Sequence, residues 1–204
     1  MNAQGKRSGE TAREYAYRMI REQVISLELK PGEAFNDMEF AAKIGVSRTP
    51  VREAVIQLSE ESRIIEIFPQ RGMRIAPIDV ELVEEARSLR VLLEKQIAGM
   101  CCEMATEEDI KWLQENVGLQ EFYMENSRPE MVMQLDDEMH HKLFMICHRE
   151  LTYGMCQKLA IHYDRIRSLS VNTVKDNTII EDHRKIIQFI AEHKKENAMA
   201  QMEK

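Results

Sequence analysis

The chain has 204 residues, 44% of them hydrophobic and 31% charged, with only 8 Gly and 5 Pro; this is enough chain for a sizeable core and too few breakers for a disordered or fibrous protein. No run free of Asp, Glu, Lys and Arg exceeds seven residues, which excludes a membrane-spanning helix of roughly 20 apolar residues. The net charge of -7 is unevenly spread: residues 1–78 carry 12 Lys and Arg against 11 Asp and Glu, residues 79–204 carry 16 against 24, and all six histidines lie in the second stretch.

That contrast, with Pro77 and Asp79 marking a break, predicts two domains, residues 1–78 and 79–204. The polar start, with Lys6 and Arg7 and no apolar segment behind it, predicts a cytoplasmic protein. Cys101, Cys102, Cys147 and Cys156 lack the paired spacing of zinc or redox motifs and are expected to be reduced thiols, mostly buried.

Along the first domain, Tyr15, Ala16, Met19, Ile20, Val24 and Leu27 recur at three- and four-residue spacing and predict an amphipathic helix over 11–27. Lys30-Pro31-Gly32-Glu33 ends it. Asn36, three residues before Glu39, predicts a capped start for a short second helix, which Gly45 stops. Either Ser47 or Thr49 can then cap a third helix, whose first turn tolerates Pro50 and whose buried stripe is Val51, Ala54, Val55 and Leu58. Ile64 to Phe68, the turn Pro69-Gln70-Arg71-Gly72, and Met73 to Ile75 predict a β-hairpin.

Two helices joined by a tight turn containing Gly make a helix-turn-helix signature, with the hairpin as its wing. In that arrangement the start of the third helix meets base edges, and Arg48 and Arg52, four residues apart, share one face there, each able to reach guanine or phosphate. Ser47 and Thr49 can reach phosphate oxygens. Arg71 and Arg74 stand at or near the wing tip, where they can enter a minor groove or follow the phosphates. A local charge of only +1 leaves a plain solvated helix face as the other reading.

Beyond residue 78 no strand-like alternation interrupts the chain. Capping pairs at Thr106 and Asp109, Ser127 and Glu130, and Thr178 and Glu181 predict helices. The first runs along Leu82, Val83, Ala86, Leu89, Leu93, Ile97 and Ala98; the later ones fall near 107–125, 129–148, 151–170 and 179–193, with another from about Asn197. Their amphipathic stripes require an all-α bundle. The 14 methionines suit an adaptable core or a dimer face. Asp136 and His140, four apart, project from one helix face; with His183 from a distant helix they would suit Zn²⁺, Ni²⁺ or Mn²⁺ and leave positions open for water or an anion. An Asp-x-x-x-His pair can equally be a surface pair or a cap. His141, His148, His162 and His193 are read as surface or hydrogen-bonded residues.

Pro31-Gly32, the run Gly45-Val46-Ser47-Arg48-Thr49-Pro50-Val51-Arg52-Glu53-Ala54, and Pro69-x-Arg71-Gly72 resemble the winged-helix domain of the GntR family of bacterial transcription regulators. The resemblance covers nearly all of 11–78 and implies operator contacts from Arg48, Thr49, Arg52 and the wing residue Gly72. Met38 stands where some relatives carry an Arg on the second helix. Arg90-x-x-Leu93-Glu94, Asp136-x-x-x-His140-x-x-Leu143 and Glu181-Asp182-His183 are similar to the all-helical effector domain of the FadR-like branch. Many of its members bind a metal through one Asp and three His. The resemblance implies Asp136, His140 and His183 as ligands and Arg90 near an anionic effector. Met139 replaces an aromatic common before the first His. The family's last His is expected about a turn after Met202, and the sequence stops at Lys204: either it ends one helix short or the site has three protein ligands.

The fold class implied is mainly α, a winged helix-turn-helix followed by a helical ligand-binding bundle. The expected function is a homodimeric repressor that binds double-stranded operator DNA under control of a small carboxylate effector held with a divalent metal ion. The alternative is a metal-dependent hydrolase or lyase with an appended winged helix. That reading needs a nucleophile or general base beside the metal, and no Ser/His/Asp, Cys/His or His-Glu-x-x-His arrangement is present.

Overall fold

The computed structural model describes residues 5–173 and 178–203. The chain divides into two compact units: Met1–Val83 with Lys158–Ile166, and Glu84–Gln157 with Arg167–Lys204.

In the first unit, α1 (Ala12–Ile25) starts on a reciprocal cap in which Thr11 and Glu14 each satisfy the other's backbone N–H. A two-residue strand β1 (Ala34–Phe35) precedes α2 (Asp37–Ile44). Asn36 caps α2 by accepting from the N–H groups of Met38 and Glu39, and its own amide donates to Glu39 Oε1 at 2.8 Å. Gly45 ends α2 in the left-handed region at φ 73°, which aims its N–H back at Ala41 and Ala42. The turn to α3 (Arg48–Ser62) then takes only three residues. Ser47 occupies the N-cap position of α3 without making a side-chain cap bond, and Thr49 lies inside the helix, so neither of the expected caps operates. Tyr15, Ile20, Val24, Phe40, Val51, Val55 and Leu58 form the core from the apolar faces of α1 to α3.

Strands β2 (Ile65–Phe68) and β3 (Gly72–Ile75) pair antiparallel, as the expected wing. Phe68 stands opposite Gly72, so the loop is Pro69-Gln70-Arg71, with Gln70 at φ 61° and Gly72 at φ 101°. A Gly after a three-residue loop is the usual way to absorb the bulge such a hairpin requires. Strand β1 adds to the far side of β3, giving the order β1-β3-β2. It was not expected, because two residues carry no readable alternation. Arg74 is mid-strand rather than at the tip, opposite Glu66 and ion-paired to it.

The second unit contains most of α4 (Val80–Met104) together with α5 (Glu107–Glu125), α6 (Pro129–Ile146), α9 (Thr178–Ala191) and α10 (Lys195–Met202). Thr106 caps α5 with Asp109 in the expected reciprocal box. Ser127 does not cap α6: its backbone is left-handed at φ 54°, Arg128 takes the N-cap position, and Pro129 opens the helix. The core gathers Ile97, Leu113, Val117, Met139, Leu143, Phe144, Ile187 and Ile190.

The helix expected over 151–170 is two, α7 (Glu150–Leu159) and α8 (Ile161–Thr173), broken at Ala160. Nothing local forces the break, since neither Pro nor Gly stands there; tertiary bonds within the first unit do. Ile161 joins that unit's apolar core, His162 donates from Nε2 to the Ser62 carbonyl at 3.1 Å, and the wholly buried Arg165 donates to the Ala76 carbonyl at 2.9 Å. Burial lowers the pKa of Arg165 to about 10, which still leaves it charged at neutral pH.

A Cβ added at Gly45 would meet nothing within 4 Å, so replacing it by Ala tests the left-handed backbone alone. Gly45→Ala is expected to cost about 1 kcal/mol, read as a lower urea midpoint with an unchanged slope.

Candidate nucleic-acid interface and metal centre

The two candidate sites lie in different units. In the first, Ser47, Arg48, Thr49 and Arg52 are all exposed on the opening turns of α3, and Arg71 and Gly72 are exposed on the wing. The spacing that leaves Val51, Ala54 and Val55 wholly buried turns positions 48, 49 and 52 outward. Arg52 has no ion pair or hydrogen bond among the described residues. Arg48 leans on the buried Asp37, Nε to Oδ2 at 3.0 Å, while its side chain keeps 57% of its exposure. Asp37 thereby fixes where the guanidinium stands without covering it.

In the second unit, α6 and α9 bring the predicted trio together. Asp136, His140 and His183 each offer a ligand atom, and these atoms all lie within 4.8 Å of one another. Asp136 Oδ1 is 3.4 Å from His183 Nε2 and 3.8 Å from His140 Nε2. For bonds of about 2.0–2.1 Å to one tetrahedral ion, ligand atoms stand roughly 3.3 Å apart, so small adjustments would complete such a set. The two imidazoles meet edge to face, with centroids 5.6 Å apart.

A chain of amides fixes the direction of the His183 ring. The Leu135 carbonyl can only accept, and it takes a bond from Asn116 Nδ2 at 3.1 Å. The Asn116 oxygen accepts from Gln120 Nε2 at 2.8 Å, which turns Gln120 Oε1 toward His183 Nδ1 at 3.0 Å. His183 therefore donates from Nδ1, and its Nε2 lone pair faces a carboxylate oxygen. Two acceptors that face each other there are bridged by a proton or by a metal cation.

Charge around the trio is dense. Arg167, from α8, pairs with Asp136 and also reaches Asp137 at 2.9 Å. Arg90 bonds Glu94 one turn along α4, Nε to Oε1 at 2.8 Å, and Glu94 Oε2 stands 3.1 Å from His140 Nδ1, off the line of a good hydrogen bond. Burial opposes ionisation of Asp136, but the guanidinium groups beside it, Arg167 foremost and also Arg90, outweigh it and hold its pKa well below the carboxylate range. For Glu94 burial again opposes, and His140 and Arg90 bring the pKa down to about 2. Burial is also the main influence on His183, lowering it to about 4. Arg90 thus sits beside the trio. Arg167, Gln120 and Asn116 were missed, since nothing local marks them, and Glu94 stood in a motif without a role.

The wider comparisons bear on both sites. Residues 12–75 match the gntR family of bacterial regulatory proteins, and residues 85–204 match the FCD domain. The chain belongs to the GntR family. It is a transcription regulator of that family's FadR-like branch, with an FCD effector-binding domain behind a winged helix-turn-helix, and not an enzyme. A relative, the HTH-type transcriptional repressor RspR of Escherichia coli strain K12, is 30% identical over 158 residues, 78% of this chain and 69% of that protein. The Nta operon transcriptional regulator of Aminobacter aminovorans is 27% identical over 177 residues, 86% of this chain and 82% of that one. Among solved structures, McbR/YncC of E. coli shares the fold with a TM-score of 0.81 at 18% identity, covering 94% of this chain and 91% of that one. GntR regulators bind operator DNA and effector ligands. No described helix is long and apolar enough to cross a membrane.

Arg167→Met would leave the buried Asp136 carboxylate without its guanidinium. The expected loss is about 3 kcal/mol in urea unfolding, with Asp136→Asn in the same chain restoring part of it; equal stability of wild type and Arg167→Met would show that the pair carries no such weight.

Proposed function

We propose that this regulator is a cytoplasmic homodimeric repressor whose hold on its operator is set by a small carboxylate bound, together with a divalent metal ion, in the helical unit. The observation that carries the ligand half of this reading is the convergence of the His183 Nε2 lone pair, the His140 ring and an Asp136 oxygen, whose ligand atoms all lie within 4.8 Å of one another. Asp136, His140 and His183 would hold the ion, and Zn²⁺, Ni²⁺ and Mn²⁺ all accept this mixture of imidazole and carboxylate. A bound ion supplies a Lewis-acid anchor for an anionic oxygen. The chain's own groups do the rest: Gln120 holds the His183 ring in one tautomer, Glu94 lies against His140, and Arg90 and Arg167 offset the charge of the carboxylates around the trio.

For the DNA half, Arg48 and Arg52 would read base edges in the major groove, with Ser47 and Thr49 on phosphates and Arg71 and Gly72 bringing the wing onto the adjoining backbone. One recognition helix covers few base pairs, and two related by a dimer axis read half-sites about 34 Å apart. Repression as the sign draws support from the repressor named above. An effector can change operator affinity only by binding differently to the two arrangements of the dimer.

Arg52→Ala should weaken binding to the cognate operator by about 1–3 kcal/mol and relax preference at one base pair, measured by fluorescence anisotropy at fixed salt. An equal loss on random DNA would make Arg52 a phosphate contact instead. Protein stripped with chelator and reloaded with Zn²⁺ should hold about one ion per chain. Asp136→Ala and His183→Ala, shown folded by circular dichroism, should hold almost none, and unchanged stoichiometry in both would remove the site.

A further inference from the structure

Helices α4 and α6 meet along a seam whose register repeats. Glu94 on α4 faces His140 on α6; seven residues further along each helix, about two turns, Cys101 faces Cys147. Their sulfurs are 3.5 Å apart. Each also reaches across to the other helix's backbone, Cys101 Sγ to the Leu143 carbonyl at 3.4 Å and Cys147 Sγ to the Ile97 carbonyl at 3.6 Å. Both residues are buried, among Ile97, Leu143 and Phe144. Neither thiol takes part in the DNA or metal reading.

We propose that Cys101 and Cys147 are a dithiol site that a small peroxide converts reversibly into an intramolecular disulfide. Cys147 is placed as the attacking sulfur. It is the C-cap of α6, and the residues that follow it, His148, Arg149 and Glu150, are exposed, so fraying of that helix end admits an oxidant little larger than water. The thiol hydrogen of Cys101 and the charge of Arg149 both favour the thiolate form of Cys147 against the effect of burial. In the first step the Cys147 thiolate attacks one peroxide oxygen. The O–O bond breaks, the departing hydroxide takes a proton to become water, and Cys147 becomes a sulfenic acid. In the second, the Cys101 sulfur attacks the Cys147 sulfur, the S–O bond breaks, and the Cys101 proton leaves with the hydroxyl as a second water. One peroxide is reduced and two thiols are oxidised. The bond ties α4 to α6 two turns from the contact between Glu94 and His140.

Cys102 and Cys156 are the internal controls. Cys102 Sγ turns to the Ala98 carbonyl of its own helix at 3.4 Å, and neither thiol is hydrogen-bonded to another sulfur among the described residues. The experiment exposes the folded full-length chain to hydrogen peroxide, alkylates the remaining thiols, and maps linked peptides by mass spectrometry. Loss of two of the four thiols, a Cys101–Cys147 peptide in the monomer band of a non-reducing gel, and full recovery with dithiothreitol are the expected result. Cys101→Ser and Cys147→Ser should each abolish the linked peptide, while Cys102→Ser and Cys156→Ser should leave it. If a serine variant fails to fold, the wild-type map still decides. Four reactive thiols after exposure, a link through Cys102 or Cys156, a link between chains, or conversion of Cys147 to sulfinic acid without a link would each overturn the proposal.

Discussion

The helical unit is organised around one carboxylate that water does not reach freely. Asp136 stays ionised there because the guanidinium of Arg167 from α8, with Arg90 on α4 beside it, outweighs the cost of burial. Removing a charge from water costs several kcal/mol unless partners replace the hydration. Each of these partners must therefore arrive at its place, which fixes how the helices carrying them pack. The amide relay through Asn116 and Gln120 extends the same constraint to α5 by settling which nitrogen of His183 holds its proton. A cluster this polar adds little to stability in net terms, because the desolvation of its charges offsets most of their mutual attraction.

The winged-helix unit follows a different logic. Its recognition surface is built by local rules, with an Asn cap, a left-handed Gly and a three-residue turn setting α2 against α3. The contact of Arg48 with Asp37 orders an exposed cation without neutralising the surface around it. Arg74 shows the contrast. Paired to Glu66 across the sheet, it belongs to the stability of the wing more than to a charged tip. This unit also recruits Lys158–Ile166 from far along the sequence, and the buried Arg165 there satisfies the Ala76 carbonyl where the wing hands over to the next helix. One helix, α8, thus carries both Arg165 and the Arg167 that steadies Asp136.

Much of the candidate sites was visible in the order of residues because the signals are short-ranged. Asn36 and Glu39 cap a helix at a fixed offset, Gly45 ends it, and Pro69 to Gly72 can hardly be anything but a turn. Asp136 and His140 share a face by helical periodicity alone, and His183 was joined to them from a distant helix by its chemistry and then by the family resemblance. Where the reading failed, the physical causes differed. Ser127 has the chemistry of a cap but sits in a left-handed turn; β1 is too short to show alternation; and Ala160 breaks a helix that local propensity would continue.

By itself, then, the amino-acid order determined the helix-turn-helix, the wing and the helical second half, since each depends on neighbours within about one or two turns. Only the tertiary structure decided that Arg167, Glu94 and Gln120 attend the Asp136 cluster, that Arg48 rests on Asp37, and that Cys101 meets Cys147. Those pairs lie on different helices, and their meeting depends on side-chain packing between segments far apart in the chain, which no periodicity within one helix encodes.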